Sequence, residues 1–174
     1  MTIRPEGPDH YSAVSPVVRG AFDDRPNESA LVDGIRQSEH YRPDYALVAE
    51  RRGDVIGHVC LNYVLLRGED EQDRRVLELA PLSVKPGPLG QDIGTALTQR
   101  ALALADAAGE PLILVLGDAR YYERFGFAPA SASGITAPAP VPAATFLIRR
   151  LSGSSAQHRG LVAFPPGFEA TGTL

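Results

Sequence analysis

A chain of 174 residues, 44% hydrophobic and 22% charged, is long enough to bury a core without disulfides, and it is expected to form one α/β domain, 1–174. A formal charge of −4 with no basic cluster excludes a nucleic-acid-binding face. No apolar run has the length of a membrane span or a signal peptide, so a cytoplasmic protein with no membrane partner is expected.

TIRP at 2–5 reads as a first strand. Residues 7–22, GPDHYSAVSPVVRGAF, carry apolar residues at helical spacing behind a cap-like Asp9, with Pro16 placed to interrupt them. NESALVDGIRQS at 27–38 predicts a short helix capped by Asn27. Two β-rich runs in YALVAERRGDVIGHVCLNYVLL flank RRGD, which predicts a hairpin. Cys60 lies in the second run, where a buried, inert thiol is expected.

After the polar connection GEDEQDRR, VLELAPLSV at 76–84 is an apolar strand interrupted by Pro81. Proline cannot donate to a ladder, so this strand is expected to be bulged, at an edge, or splayed from its neighbour. IGTALTQRALALADAAG predicts a helix with Ile93, Ala96, Leu97, Leu102 and Leu104 or Ala105 near one face, stopped by Gly109. PLILVLG is continuously apolar, the pattern of a strand covered on both faces. DARYYERFGF is a short helix ending at Gly126, and a Pro/Ala loop leads to two late strands, TFLIRRL and GLVAFPP. The order β-α-α-β-β-β-α-β-α-β-β makes a mixed central sheet flanked by helices, with a parallel, right-handed crossover over 76–116.

Three places could carry chemistry. In the turn from Val84 to Thr95, Gly90 and Gly94 let a ligand approach the backbone, and the following helix aims free N–H groups into it; an ordinary strand-to-helix turn explains the same residues. Strands parted at Pro81 would leave peptide groups able to bind an amide-bearing ligand; the alternative is a plain bulge. The tyrosines of YYERFGF follow the C-terminal end of an apolar strand, where α/β sheets bind ligands, and one could be a general acid; otherwise both rings simply pack. His10, His40, His58 and His158 stand at no ligand-like spacing and Cys60 is alone, so no metal site is expected. His58 on the hairpin is an alternative base or a hydrogen-bonded sheet histidine.

With these pieces together, the chain resembles the GNAT superfamily of acyl-CoA-dependent N-acyltransferases, in particular a bacterial branch with a P-L-x-V-x-P strand and a G-D-x-x-Y-Y-x-R-F-G-F segment. Those stand here at Pro81–Pro86 and Gly117–Phe127, and the likeness covers roughly 76–129 and the hairpin at 45–65. It implies a fold whose fourth and fifth strands part to admit pantetheine, with Leu82, Ser83 and Val84 offering main-chain groups to its amides. It implies acetyl-CoA as acyl donor, with Tyr122 protonating the departing thiolate and Glu78 deprotonating the amine, often through water. The phenol's ordinary pKa, near that of a thiol, suits the first role.

The turn departs from the family's Gln/Arg-x-x-Gly-x-Gly/Ala, reading Leu89-Gly90-Gln91-Asp92-Ile93-Gly94 before Thr95. Asp92 replaces a glycine, and two like charges ~4 Å apart at an effective dielectric of ~20 repel by ~4 kcal/mol. Asp92 also has another use, as the N-cap of the helix. Two readings follow: an N-acyltransferase acting on a small-molecule amine by direct attack in a ternary complex, or a GNAT-like scaffold that binds CoA poorly and serves as a sensor or accessory protein or catalyses a different reaction. Exposed late strands leave an edge that a second copy could pair with, giving a homodimer.

Overall fold

The computed structural model describes residues 1–22, 26–87, 90–138 and 141–165. The chain divides into two compact units, one of Met1–Asn62 with Ala80–Leu104, the other of Tyr63–Leu79 with the chain from Ala105 onward.

In the first unit, β1 (Thr2–Pro5) lies antiparallel to β2 (Tyr41–Arg51), with Thr2 opposite Glu50 and Pro5 opposite Leu47. The predicted hairpin joins β2 to β3 (Asp54–Gly68), closing at Arg51 opposite Asp54. Its two turn residues, Arg52 and Gly53, have φ of 55° and 86°; positive φ at both is the twist-matched two-residue turn, which glycine adopts without strain.

Helix α1 (Tyr11–Ala21) runs through Pro16 without interruption. Pro16 and Ser12 are both exposed, so the Ser12 carbonyl that loses its donor meets water, while Val14, Val17 and Val18 are buried. The expected cap at Asp9 is not used; a single 3-10 turn at Pro8–His10 precedes the helix, and the Gly7 N–H donates to His10 Nδ1 at 2.8 Å. Helix α2 spans Pro26–Arg36, which puts Asn27 inside the first turn and not at the cap. Val14, Val17, Val18 and Val32 form one cluster with Val48 and Val55 of the hairpin.

Strand β4 (Asp73–Val84) and helix α3 (Gly90–Ala107) follow. Ile93, Leu97, Leu102 and Ala105 are buried as the periodicity predicts, joined by Thr98 and Ala101, while Leu104 is only partly covered. The helix lies close to β3: a β-carbon built on Gly57 would come within 2.9 Å of Ile93 and Leu97.

The second unit is built on β5 (Leu112–Leu116), almost wholly buried, as its apolar run predicts. It is parallel to β4 and antiparallel to β8 (Phe146–Arg150), with Leu112 opposite Arg150 and Leu116 opposite Phe146. Between them come α4 (Ala119–Tyr122) and two short strands that the pattern does not predict, β6 (Ala128–Pro129) and β7 (Ile135–Thr136). A two-residue strand carries no periodicity; its pairing with a longer neighbour alone defines it. Strand β9 (Gly160–Ala163) pairs with the end of β3 and with β7. Val64, Leu66, Val76, Leu112, Leu114, Phe146 and Ile148 belong to one buried core.

Hydrogen bonding links the strands in the order β1-β2-β3-β4-β5-β8-β6, a mixed sheet in which β4–β5 and β7–β9 are parallel. The β4–β5 ladder holds two pairs among the described residues, Leu77 with Ile113 and Glu78 with Leu114. It ends before Pro81, in agreement with the expected splay.

Candidate active site

Leu82, Ser83 and Val84 occupy the end of β4 in the first unit. The Lys85 N–H donates to Ile56 O on β3 at 2.9 Å. Peptide groups alternate along a strand, so the N–H groups of Leu82 and Val84 turn to the opposite edge, which has no ladder partner among the described residues. Ser83 is buried at 1% exposure and its hydroxyl has no hydrogen-bond partner among the described residues. Ahead of Pro81, the Ala80 carbonyl accepts a 2.7 Å hydrogen bond from the fully buried Asn62 amide. The sequence reading passed over Asn62, although an amide inside VIGHVCLNYVLL signals a group that must find a partner. Cys60 is buried beside it, Sγ 3.1 Å from Asn62 Oδ1, and burial raises its thiol pKa, which fits the expected inert thiol.

Leu89 lies outside the described residues. Gly90 opens α3, followed by Gln91, Asp92, Ile93, Gly94 and Thr95 in the first turns. Asp92 is therefore the third helical residue and not the N-cap, which corrects that expectation. Its side chain is exposed, with no hydrogen bond to a helix amide among the described residues. Ile93 and Gly94 are buried toward the sheet.

The same unit holds a polar group that sequence spacing could not reveal. Glu6, 7% exposed, accepts from Arg36 Nη2, from Arg36 Nε at 3.4 Å and from the Tyr41 hydroxyl at 3.0 Å, and His58 Nε2 lies 3.3 Å away. Burial alone would raise the Glu6 carboxyl; the hydrogen bonds of His58 and Arg36 outweigh it and hold the pKa at about 2. His58 is thus a buried sheet histidine tied to a carboxylate.

Glu78 and Tyr122 belong to the second unit. Glu78 is 6% exposed, has no ion-pair partner among the described residues, and burial pushes its carboxyl up to about 7. At Gly117, just past the end of β5, the chain turns into α4. Asp118 Oδ1 accepts from the Arg120 N–H at 2.9 Å as the N-cap, and the Arg120 guanidinium folds back onto the same carboxylate. Gly126, with φ of 80°, ends the following 3-10 turn. The Tyr122 ring lies against Gly117, where a β-carbon would collide with it, and packs edge-on against Tyr121 and Phe127 with centroids 4.9 and 5.5 Å away. Burial, with Tyr121 beside it, raises the Tyr122 phenol above its ordinary value. It therefore holds its proton at neutral pH and is a weaker acid than an ordinary phenol. Arg124 Nε is bound to the Tyr121 carbonyl at 2.9 Å.

A two-rung parallel ladder followed by an unpaired strand edge, a glycine-bearing helix start and the G-D-x-x-Y-Y segment meet a family model described as the acetyltransferase (GNAT) family, which matches residues 12–127. The chain belongs to the GNAT acetyltransferase family.

Among GNAT relatives, it is 30% identical over 153 residues to the uncharacterized N-acetyltransferase YhbS of Escherichia coli strain K12, covering 87% of this chain and 88% of that one. It is 34% identical over 116 residues to the uncharacterized N-acetyltransferase YjhQ of the same strain, spanning 66% of this chain and 64% of that relative's length. Among solved structures, YhbS from Escherichia coli in complex with CoA superposes with a TM-score of 0.87 at 27% identity, covering 98% of this chain and 93% of that one. A GNAT family acetyltransferase from Brucella melitensis in complex with acetyl-CoA gives 0.76 at 28% identity, covering 96% and 97%. No helix among the described residues is long and apolar enough to cross a membrane.

Proposed function

We propose that the protein is an N-acetyltransferase that moves an acetyl group from acetyl-CoA to the amine of a small molecule by direct attack in a ternary complex. The observation that carries this reading is Glu78: a buried carboxyl with no counter-ion among the described residues, pushed up to about 7 by burial, at the last rung of the β4–β5 ladder. A base with that pKa is half-ionised at neutral pH and can take the proton that the neutral amine nitrogen sheds as it bonds to the thioester carbonyl.

The free N–H groups of Leu82 and Val84 suit an amide-bearing tail laid along the strand, as in strand addition. The start of α3, with Gly90 and Gly94 and an exposed Asp92, suits the phosphates of CoA. Main-chain N–H groups at the end of β4 polarise the acyl oxygen, and Tyr122, protonated at neutral pH, donates its proton to sulfur. CoA and acetyl-CoA in the YhbS and Brucella melitensis complexes support this donor.

The test pairs binding with turnover. Acetyl-CoA at ~100 times its dissociation constant should add ~2.7 kcal/mol of stability, seen as a rise in Tm, and a panel of small amines should release free thiol from it. No stabilisation of the wild type, with stabilisation appearing in Asp92→Gly, would favour instead a scaffold that no longer uses CoA.

A further inference from the structure

In the second unit, a surface pocket of about 510 Å³ is lined by Ser133, Arg150, Ser154, Ser155, Arg159 and two alanines. It is a shallow depression, largely open to solvent. No carboxylate lines it among the described residues, and neither arginine is in an ion pair there.

Arg150 is held by four acceptors: Nη1 donates to Ser154 Oγ at 2.6 Å and to the Ser155 carbonyl at 3.5 Å, and Nη2 donates to the Ser133 and His158 carbonyls at 3.1 and 3.0 Å. It supplies a fixed positive charge with no ion-pair partner among the described residues, and few free donors. Because Ser154 Oγ accepts from Arg150, its own O–H is left to donate. Arg159 is exposed, and its guanidinium lies against Gly134, where a side chain would displace it. His158, beside the pocket, registers the field: burial first, then Arg74 and Arg150, hold its imidazole below its ordinary value, and its Nδ1 accepts a 3.0 Å hydrogen bond from the Ser155 N–H.

We propose that this pocket binds a phosphate-bearing small molecule through the Arg159 guanidinium and the Ser154 hydroxyl, in the field of Arg150. A phosphate dianion matches two uncompensated guanidinium charges, and its three terminal oxygens can take the Arg159 fork and a hydroxyl together. A single carboxylate offers half the charge and fewer acceptors.

The test is a titration of the full chain with glycerol phosphate, inorganic phosphate and succinate at constant ionic strength, following the His158 ring resonances by NMR. Glycerol phosphate should give a saturable shift and raise the His158 pKa, since the anion offsets Arg150, and it should bind more tightly than inorganic phosphate or succinate. Arg159→Ala, an exposed change, should weaken binding about tenfold or more while leaving the fold and acetyl transfer unchanged. Ser154→Ala should weaken it less. An unmoved His158, wild-type binding by Arg159→Ala, or succinate or inorganic phosphate binding as tightly as glycerol phosphate would overturn the proposal.

Discussion

Glu78 stands directly opposite Leu114 in the last parallel rung between β4 and β5, and its carboxyl is buried there with no counter-charge among the described residues. Desolvation disfavours the ionised form, so the group that the resemblance marks as a base is placed near neutrality by its surroundings.

A pH–rate profile follows from this. As the base must be unprotonated, kcat/KM should rise with pH through about 7 and then level. Glu78→Gln should lower kcat by about 10²–10⁴ and remove that limb. Stability should move the other way. The folded pKa lies above the unfolded one, so the folded state binds more protons and stability falls as pH rises between the ordinary carboxylate range and about 7. Glu78→Gln should therefore raise Tm by about 3 °C or more above pH 8 and change it little at pH 4, as read by thermal denaturation across pH. An inactive variant without the alkaline gain in stability would contradict the buried-carboxylate assignment.

Tyr122→Phe keeps the ring that packs on Gly117 and removes only the proton donor. Tm should hold within about 1 °C, because surface and packing are conserved, while kcat falls by about tenfold to a thousandfold. Gly117→Ala should act through the same ring. Its β-carbon collides with Tyr122, costing about 1–3 kcal/mol and displacing the hydroxyl, so both Tm and kcat should drop. Steady-state kinetics beside calorimetry separates the two cases.

Asp92 is exposed in the first turn of α3, with no hydrogen bond to a helix amide among the described residues. Asp92→Asn should tighten acetyl-CoA binding by about two- to tenfold at low salt, with the gain fading as ionic strength rises. Calorimetric titration at two salt concentrations measures it; a salt-independent change would mean that the side chain acts by shape and not by charge.

Glu6 predicts the acid limb of stability. Its folded pKa of about 2 lies below the ordinary carboxylate value, so its contribution is complete above about 4.5 and is lost as pH falls toward 2. Glu6→Gln should cost about 3–5 kcal/mol at pH 7, because Arg36 and His58 are left beside a neutral group. Its Tm should also fall less steeply than that of the wild type between pH 4.5 and 2. Parallel Tm curves for the two proteins in that range would show that other carboxylates govern acid unfolding.

Local grammar carried much of this structure. The hairpin around RRGD, the buried stripe of α3, the doubly covered β5 and the stop at Gly126 are each set by residues within one or two turns of one another, so periodicity and φ preference suffice to read them. Local rules misplaced the caps at Asp9 and Asn27, because a helix start depends on where the chain enters, and they read Pro16 as a break because they could not see that the freed Ser12 carbonyl faces water. Where strands β6 and β7 form was settled by their partners β8 and β9. Above all, charge was decided by the tertiary fold. Glu6 meets Arg36, Tyr41 and His58 across 30 to 52 residues of chain, and the pKa values of Glu6 and Glu78 diverge from about 2 to about 7. The two side chains have the same chemistry; one is buried among donors and the other without them, and only the assembled sheet and helices determine which.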